Sequence, residues 1–136
     1  MGVKRGGSDG LSGITANPLV GSFTDSLTAL GGSVIMSEVP EMFGAEQLLM
    51  NRAENKEVFE SIVNMINNFK DYYASHNLPI YENPSPGNKA GGISTLEDKS
   101  LGCTQKSGSA TVKSILAYGE QLNCTGFSHF PTFSQA

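Results

Sequence analysis

Hydrophobic residues recur at helical spacing in two segments of the chain. In residues 56–76, apolar side chains lie on one face and polar side chains on the other, which predicts a surface helix packed on a core. A second segment starts at Asn17-Pro18 and stops at Gly31-Gly32, as helices commonly do. Its apolar positions follow at intervals of four, four and three residues and are Leu19, Phe23, Leu27 and Leu30. This spacing predicts one apolar stripe of a helix.

Short apolar runs bounded by Gly or Pro predict strands. Residues 33–39 show this pattern with several β-branched side chains, and residues 1–5 allow a preceding strand. Residues 111–117 fit either a strand or a helix, residues 94–97 resemble a capping box that opens a helix, and beyond Leu122 no pattern remains. The order strand, helix, strand predicts an α/β fold with a small, mostly parallel sheet covered by helices.

Two polar loops rich in glycine, residues 5–10 and 83–92, stand apart from these segments. They bury little apolar surface and expose backbone N–H groups, so we expect them to bind a ligand, with a small anion as the first interpretation. The first loop lacks the spacing of nucleotide-binding glycine motifs, and a plain tight turn is the alternative. Three prolines and three glycines between residues 78 and 92 leave no room for regular structure.

Composition and charge narrow the classes of function. At 136 residues the chain fits one domain of common size. The formal net charge is -4 and the nine basic residues are scattered, which argues against a nucleic-acid interface. No apolar run approaches the ~20 residues that cross a bilayer, and two cysteines outside any CxxC motif favour a reducing cytoplasm. We therefore expect a soluble cytoplasmic protein that contacts neither nucleic acid nor membrane.

Two acidic and two basic side chains are candidates for chemistry. Glu38 and Glu41 follow the predicted strand at residues 33–39, where open α/β sheets place their ligands, so they could act as a general base or hold a hard cation. Two solvated carboxylates are the alternative. Lys89 and Lys106 each lie in a loop rich in Gly or Ser and suit a carboxylate clamp or proton transfer, although a loop lysine is commonly just solvated.

Four longer motifs carry a resemblance to a known family. They occur in the same order along the chain, at residues 6–18, 37–46, 82–97 and 99–106. Together they closely resemble the altronate and galactarate dehydratases, most nearly the members that act on altronate. The resemblance runs from residue 3 to residue 122, which implies that residues 1–122 are the central domain of a sugar-acid dehydratase. Residues 123–136 do not resemble the family and are expected to form a poorly ordered tail.

The resemblance implies an activity. It indicates a cytoplasmic hydro-lyase of hexuronate catabolism that removes water from D-altronate to give 2-keto-3-deoxy-D-gluconate, with a divalent metal, Fe2+ or Mn2+. The chemistry requires a base, an acid and groups that stabilise an enediolate next to a carboxylate. The expected catalytic residues are Glu38, Lys89 and Lys106, the expected substrate-binding residues are Gly6, Gly7, Ser8 and Asn88, and the expected metal ligand is Asp9.

The same resemblance implies partners for this chain, and a second hypothesis about its function stays open. The family enzymes are longer, so we expect the missing N- and C-terminal domains of the same enzyme as partners, together with a sugar acid and a homo-oligomer. Arg5 stands where the family usually has Cys, which removes one expected metal ligand. We expect little or no activity from the isolated chain. The alternative is a non-catalytic remnant that binds a sugar acid or a metal, and both hypotheses predict that residues 5–10 and 83–92 fold together.

Overall fold

Four parallel strands form a single sheet in the computed structural model, which describes residues 1–4, 9–82 and 84–130. The strands are β1 (Gly2–Val3), β2 (Ser33–Ser37), β3 (Val112–Ile115) and β4 (Gly126–Phe130). Their order across the sheet is β1-β2-β4-β3, and every neighbouring pair is parallel. With the helices described next, this sheet confirms the predicted α/β fold with a small parallel sheet.

Five α-helices and a short 3₁₀ helix surround this sheet in the described part of the chain. They are α1 (Ala16–Ala29), α2 (Glu46–Met50), α3 (Lys56–Ser75), α4 (Pro86–Ala90), α5 (Leu96–Gln105) and the 3₁₀ helix Val39–Met42. The predicted positions of α1 and α3 are therefore confirmed to within two residues. Among the described residues, none of these helices combines the length and apolar character needed to cross a bilayer.

The core lies where α3 packs near the 3₁₀ helix and β3. As the periodicity predicts, α3 buries Val58, Ile62, Met65, Ile66 and Phe69. The residues they meet in the same cluster include the fully buried Val34 of β2, Phe127 of β4, Phe43 and Leu49. Because these side chains come from segments far apart in sequence, burial of their apolar surface holds the helices onto the sheet.

Most of the apolar stripe predicted for α1 faces solvent, whereas the apolar face of an ordinary amphipathic helix is buried. Leu19, Phe23 and Leu30 are 71%, 53% and 86% exposed. The buried residues of the helix are the small or polar Asn17, Gly21 and Thr24. The spacing thus located the helix correctly, and of its four apolar positions Leu27 alone packs, partly buried, against the core.

Close packing of α1 against the end of α5 explains this reversal. A Cβ atom on Gly21 would lie only 2.3 Å from the backbone oxygen of Gln105, so no larger residue fits there. One turn on, the Thr24 hydroxyl donates a hydrogen bond of 2.8 Å to the carbonyl of Lys106. Because this side of α1 meets polypeptide backbone, it needs small residues and hydrogen-bond donors.

The proline-rich loop contains regular structure that the sequence analysis excluded. Helix α4 (Pro86–Ala90) forms within residues 78–92, with a proline at its first position, where the missing N–H is not needed. The backbone N–H and hydroxyl of Ser85 donate to Oδ1 of Asn88, at 3.3 and 2.8 Å. The prediction of no regular structure was therefore wrong here, because local capping outweighed the composition.

The segment after Leu122 also contains an element that the sequence pattern does not show. Strand β4 lies between β2 and β3 inside the sheet. Two of its polar residues, Ser128 and His129, are fully buried, which hides the strand from a search for apolar runs. The hydroxyls of Ser128 and Ser114 hydrogen-bond across the β3–β4 pair at 2.9 Å. The expectation of no element beyond Leu122 was wrong for residues 126–130, whereas the division at residue 122 stays a prediction.

Replacing Phe127 by Ala tests the structural role of β4. The ring is fully buried in the core cluster, so we expect Phe127→Ala to lower the free energy of unfolding by about 3–5 kcal/mol, measured by urea denaturation. Phe59→Ala is the matched control, because that ring on α3 is 39% exposed. Equal losses in the two variants would contradict a central place for β4 in the core.

Candidate functional site

The carboxyl ends of β1 and β2 open into a small pocket, here called the carboxyl-end pocket. Its lining includes Lys4 after β1, Ser37 and Glu38 after β2, Glu41 of the 3₁₀ helix, Thr104 of α5, and Lys106. Three candidates from the sequence analysis, Glu38, Glu41 and Lys106, therefore meet in one place. Parallel strands end together at this edge of the sheet, which is why residues distant in sequence converge there.

Glu38 occupies an unusual backbone conformation at the edge of this pocket. Its φ and ψ angles are 78° and 72°, in the left-handed region that residues other than Gly rarely adopt. The residue is also buried, and the 3₁₀ helix begins immediately after it. Backbone strain of this kind costs about 1–3 kcal/mol and concentrates at functional sites, because the surrounding structure must hold it in place.

Lys106 is far from Glu38 in the sequence but lines the same pocket, and its side chain carries a positive charge. Its Nζ donates to the carbonyl oxygen of Lys4 at 3.3 Å. The cavity volume is about 20 Å³, enough for one water-sized group.

A buried ion pair lies directly behind the pocket. Nζ of Lys99 on α5 is 3.4 Å from Oε2 of Glu41, and the two side chains are only 2% and 10% exposed. The sequence analysis missed Lys99. Its neighbours Ser100, Cys103 and Thr104 on α5 are small, but only the structure shows that they are buried. A lysine flanked by small residues on the buried side of a helix indicates a buried partner of opposite charge.

The two glycine-rich loops contact each other at a second cavity, here called the loop pocket. The backbone N–H of Gly10 donates to the carbonyl of Gly91 at 2.8 Å, and a Cβ on Gly91 would lie 3.1 Å from the Cβ of Asp9. The loop pocket has a volume of about 340 Å³. The expected proximity of the loops is confirmed for residues 9–10 and 91–92, and the described residues of both loops contribute to this pocket.

Asp9, the expected metal ligand, lies at the loop pocket. Its Oδ1 accepts hydrogen bonds from the hydroxyl and backbone N–H of Ser12, at 2.9 and 2.8 Å, and from the backbone N–H of Leu11 at 3.0 Å. The hydrogen bonds from Ser12 hold the pKa of Asp9 below its ordinary value. In the described residues, no three side chains of His, Cys, Asp or Glu form a group that could hold a metal ion. The described residues alone therefore do not form a metal centre, and the role of Asp9 stays a prediction.

The remaining predicted site residues lie elsewhere or outside the described residues. Asn88 is buried, and its side chain accepts the hydrogen bonds from Ser85 at the start of α4. Lys89 is exposed in the last turn of α4 and lines neither pocket. Gly6, Gly7 and Ser8 lie outside the described residues, as does Arg5. Their expected roles in catalysis and substrate binding stay predictions.

Comparison with known proteins gives one family. A family model described as "D-galactarate/Altronate dehydratase, C-terminal" matches residues 1–136. The chain is 65% identical over 128 residues to altronate dehydratase of Bacillus subtilis and 61% identical over 128 residues to altronate dehydratase of Escherichia coli. It is 37% identical over 132 residues to galactarate dehydratase (L-threo-forming) of Escherichia coli.

The matches cover nearly all of the chain but a small part of each relative. The three alignments include 94%, 94% and 97% of this chain and 26%, 26% and 25% of the relatives. The chain thus spans about a quarter of the length of the curated relatives it matches. The description of the family model places this segment in the C-terminal part of such enzymes, whereas the motifs alone led us to describe it as central.

Removing one partner of the buried ion pair should destabilise the fold. Lys99→Met leaves the Glu41 carboxylate buried without its cation, so we expect a loss of about 3–5 kcal/mol in the free energy of unfolding, measured by urea denaturation. The double variant Lys99→Met/Glu41→Leu should recover part of this loss. Lys56→Met is the matched control, because its pair with Glu60 is exposed and contributes little. A loss no larger than that of the control would show that the pair is not buried in solution.

Proposed function

The chain belongs to the D-galactarate/altronate dehydratase family, and we propose that it supplies part of the active site of an enzyme that dehydrates D-altronate. The proposed product is 2-keto-3-deoxy-D-gluconate, and we propose that the reaction belongs to hexuronate catabolism in the cytoplasm. Altronate is favoured over galactarate as the substrate because identity to the altronate dehydratases is 61–65%, against 37% for the galactarate enzyme. The observation that carries the proposal is the meeting of Glu38 and Lys106 at the carboxyl ends of β1 and β2.

The reaction sets clear demands on such a site. A base removes the proton from C2, next to the carboxylate, and the C3 hydroxyl leaves as water after it receives a proton. The resulting enol becomes the 2-keto acid when C3 is protonated. Since a proton next to a carboxylate is weakly acidic, the site must stabilise the negative charge that develops on the carboxylate oxygens.

Glu38 and Lys106 match two of these demands. We assign Glu38 as the base for the C2 proton, because its carboxylate is held by a strained backbone at the pocket. Lys106 and Lys4 line the same pocket, and ammonium groups are suited to bind the substrate carboxylate and the enediolate that forms from it. The cavity of about 20 Å³ has room only for a water-sized group, so we infer that the substrate meets these side chains at the mouth of the pocket and that the remaining part of the enzyme encloses it.

The exposed apolar face of α1 gives a place for that remaining part. Leu19, Phe23 and Leu30 point away from the fold, and α1 carries only one charged residue, Asp25, which is bonded to Ser109. The chain spans about a quarter of the length of its relatives, so a large part of such an enzyme's polypeptide is available to cover this face. We infer that the occupant is the part of the dehydratase polypeptide that lies outside the matched segment.

A chimera tests the catalytic proposal. The 128 matching residues of the Bacillus subtilis enzyme would be replaced by those of this chain, and formation of a 2-keto-3-deoxy acid from D-altronate would be measured. We expect an active chimera, and we expect Glu38→Gln to lower its kcat by about 100-fold or more, since general base catalysis contributes that much. Glu57→Gln, an exposed carboxylate on α3, is the matched control and should leave kcat unchanged.

The outcomes separate catalysis from a non-catalytic role. A chimera that folds with the thermal transition of the parent enzyme but forms no keto acid would contradict the proposed function. An active chimera in which Glu38→Gln matches the control would remove Glu38 as the base while leaving the dehydratase assignment in place. The isolated chain should show little turnover under the same conditions, because the cavity of the described residues is too small to enclose the substrate.

Replacing Phe23 by Ser tests the occupant of the α1 face. In the isolated chain the ring is already largely exposed, so Phe23→Ser should change the melting temperature little. In the chimera, where the remaining polypeptide should cover the ring, the same change should lower it by several degrees. Leu78→Ser, at a similarly exposed position away from α1, is the control. Equal effects in both settings, or a dimer of the isolated chain that Phe23→Ser dissociates, would contradict this occupant.

A further inference from the structure

The turn that carries Lys106 is bound by side chains from two other parts of the chain. It consists of residues 106–109 and follows α5 directly. We propose that Thr24 and Arg52 are positioning residues, which fix this turn so that Lys106 stays in the carboxyl-end pocket. The inference rests on the proposed function for the role of Lys106. It adds two residues that are not among the described residues lining this pocket.

Three consecutive carbonyl groups at the end of α5 accept hydrogen bonds from these two side chains. Carbonyl groups at the end of a helix have no partner within the helix. The Thr24 hydroxyl on α1 donates to the carbonyl of Lys106 at 2.8 Å. The Arg52 guanidinium donates to the carbonyls of Ser107 and Gly108, and also to the hydroxyl of Ser107. The turn is therefore bound both by α1 and by the segment after α2.

Both positioning residues are held by the fold. Thr24 is fully buried on α1. The guanidinium carbon of Arg52 lies 5.9 Å from the ring centroid of Phe127, a fully buried core residue, and an aromatic ring attracts a cation at this distance. Asp25, next to Thr24, accepts hydrogen bonds from the backbone N–H and hydroxyl of Ser109 at 2.8 and 3.2 Å. The turn is thus attached to elements whose own positions are fixed by packing.

The sequence of the turn explains why it needs these contacts. Residues 107–109 are Ser-Gly-Ser, and the φ angle of Gly108 is 56°, in the left-handed region. A Cβ atom on Gly108 would lie 2.3 Å from Oδ1 of Asp25, so the close approach of α1 requires glycine here. Glycine gains conformational freedom when it is not held. Hydrogen bonds from outside the turn therefore set its conformation.

Lys106 is bound both at its backbone and at the tip of its side chain. Thr24 binds its carbonyl, and its Nζ donates to the carbonyl of Lys4 at 3.3 Å. A lysine side chain has many rotamers, and a functional group must be held to within roughly 0.5 Å of its working position. Fixing the backbone at residue 106 reduces the positions that the ammonium group can reach. Thr24 and Arg52 therefore act on the substrate carboxylate only through Lys106.

Steady-state kinetics of the chimera described above test this inference. Thr24→Val keeps the shape of the side chain but removes the hydroxyl. We expect this variant to raise KM for D-altronate and to lower kcat/KM by about tenfold, the effect of one lost hydrogen bond. A change that only reduced the folded fraction of the enzyme would lower kcat and leave KM unchanged.

Three further variants control for folding and for helix position. Thr24→Ser keeps the hydroxyl and should behave like the original chimera. Thr28→Val is the matched control, because the Thr28 hydroxyl donates to carbonyls of its own helix, and it should leave KM unchanged. Arg52→Lys keeps the charge but loses the planar fork that reaches two carbonyls, so it should also raise KM. This variant provides the test if Thr24→Val fails to fold.

A double variant shows whether Thr24 acts through Lys106. Lys106→Met removes the ammonium group and should itself lower kcat/KM. In that background we expect Thr24→Val to lower kcat/KM no further, since residues that act through one group are not additive. A tenfold loss in both backgrounds would overturn the inference, because the effect would then be independent of Lys106.

The order of the Lys106 side chain gives a readout that needs no turnover. In the 136-residue chain, labelled with 13C at the lysine ε-carbons, 13C relaxation measures motion of each ε-carbon on the ps–ns timescale. The spectrum of Lys106→Met identifies the Lys106 signal. We expect Thr24→Val to lower the order parameter of this carbon and Thr28→Val to leave it unchanged. An order parameter that Thr24→Val does not change would overturn the inference.

The results also distinguish this inference from the proposed function. An active chimera in which Thr24→Val behaves like Thr28→Val would reject the positioning role alone. A folded but inactive chimera, together with loss of Lys106 order in Thr24→Val, would reject the catalytic proposal and leave Thr24 as a residue that holds Lys106 in place.

Discussion

The buried pair of Lys99 and Glu41 is the constraint on which the arrangement of both pockets depends. The two side chains lie 3.4 Å apart and are almost fully removed from solvent. Lys99 also lines the loop pocket and Glu41 the carboxyl-end pocket, so the pair lies between the two cavities. A buried ion pair contributes little net stability but tolerates few alternative geometries. It therefore ties the 3₁₀ helix to α5 and fixes the wall that separates the pockets.

Backbone contacts around α5 complete this arrangement. The Ser100 hydroxyl donates to the carbonyl of Phe43, which joins α5 to the segment just after the 3₁₀ helix. At the far end, Arg52 donates to the carbonyl of Gly108 and thereby holds the turn that leads into β3. Gly21 lets α1 approach the last turn of α5. These contacts use small or polar residues, so the side of the fold that forms the site is built differently from the apolar core under α3.

Part of the candidate site could be predicted from the sequence. Glu38 and Glu41 end an apolar strand, and the carboxyl ends of parallel strands converge, so their shared pocket follows from the pattern. Lys106 could be proposed only as a loop lysine. Lys99 and Asn17 could not be found in this way, because a charged or amide side chain in a helix is normally solvent-exposed. Their burial results from contacts with Glu41 and Gly102.

The sequence by itself determined the class of fold and the positions of α1, α3 and β2, because periodicity and caps are local properties. The availability of backbone N–H groups for a ligand was not determined in this way, because the N–H groups of Gly10, Gly91 and Gly92 donate to carbonyls within the fold. Only the tertiary structure decided which face of α1 is buried, where β4 lies and which side chains meet in each pocket. These features depend on contacts between residues far apart in the chain, and such contacts can reverse what local hydrophobicity favours.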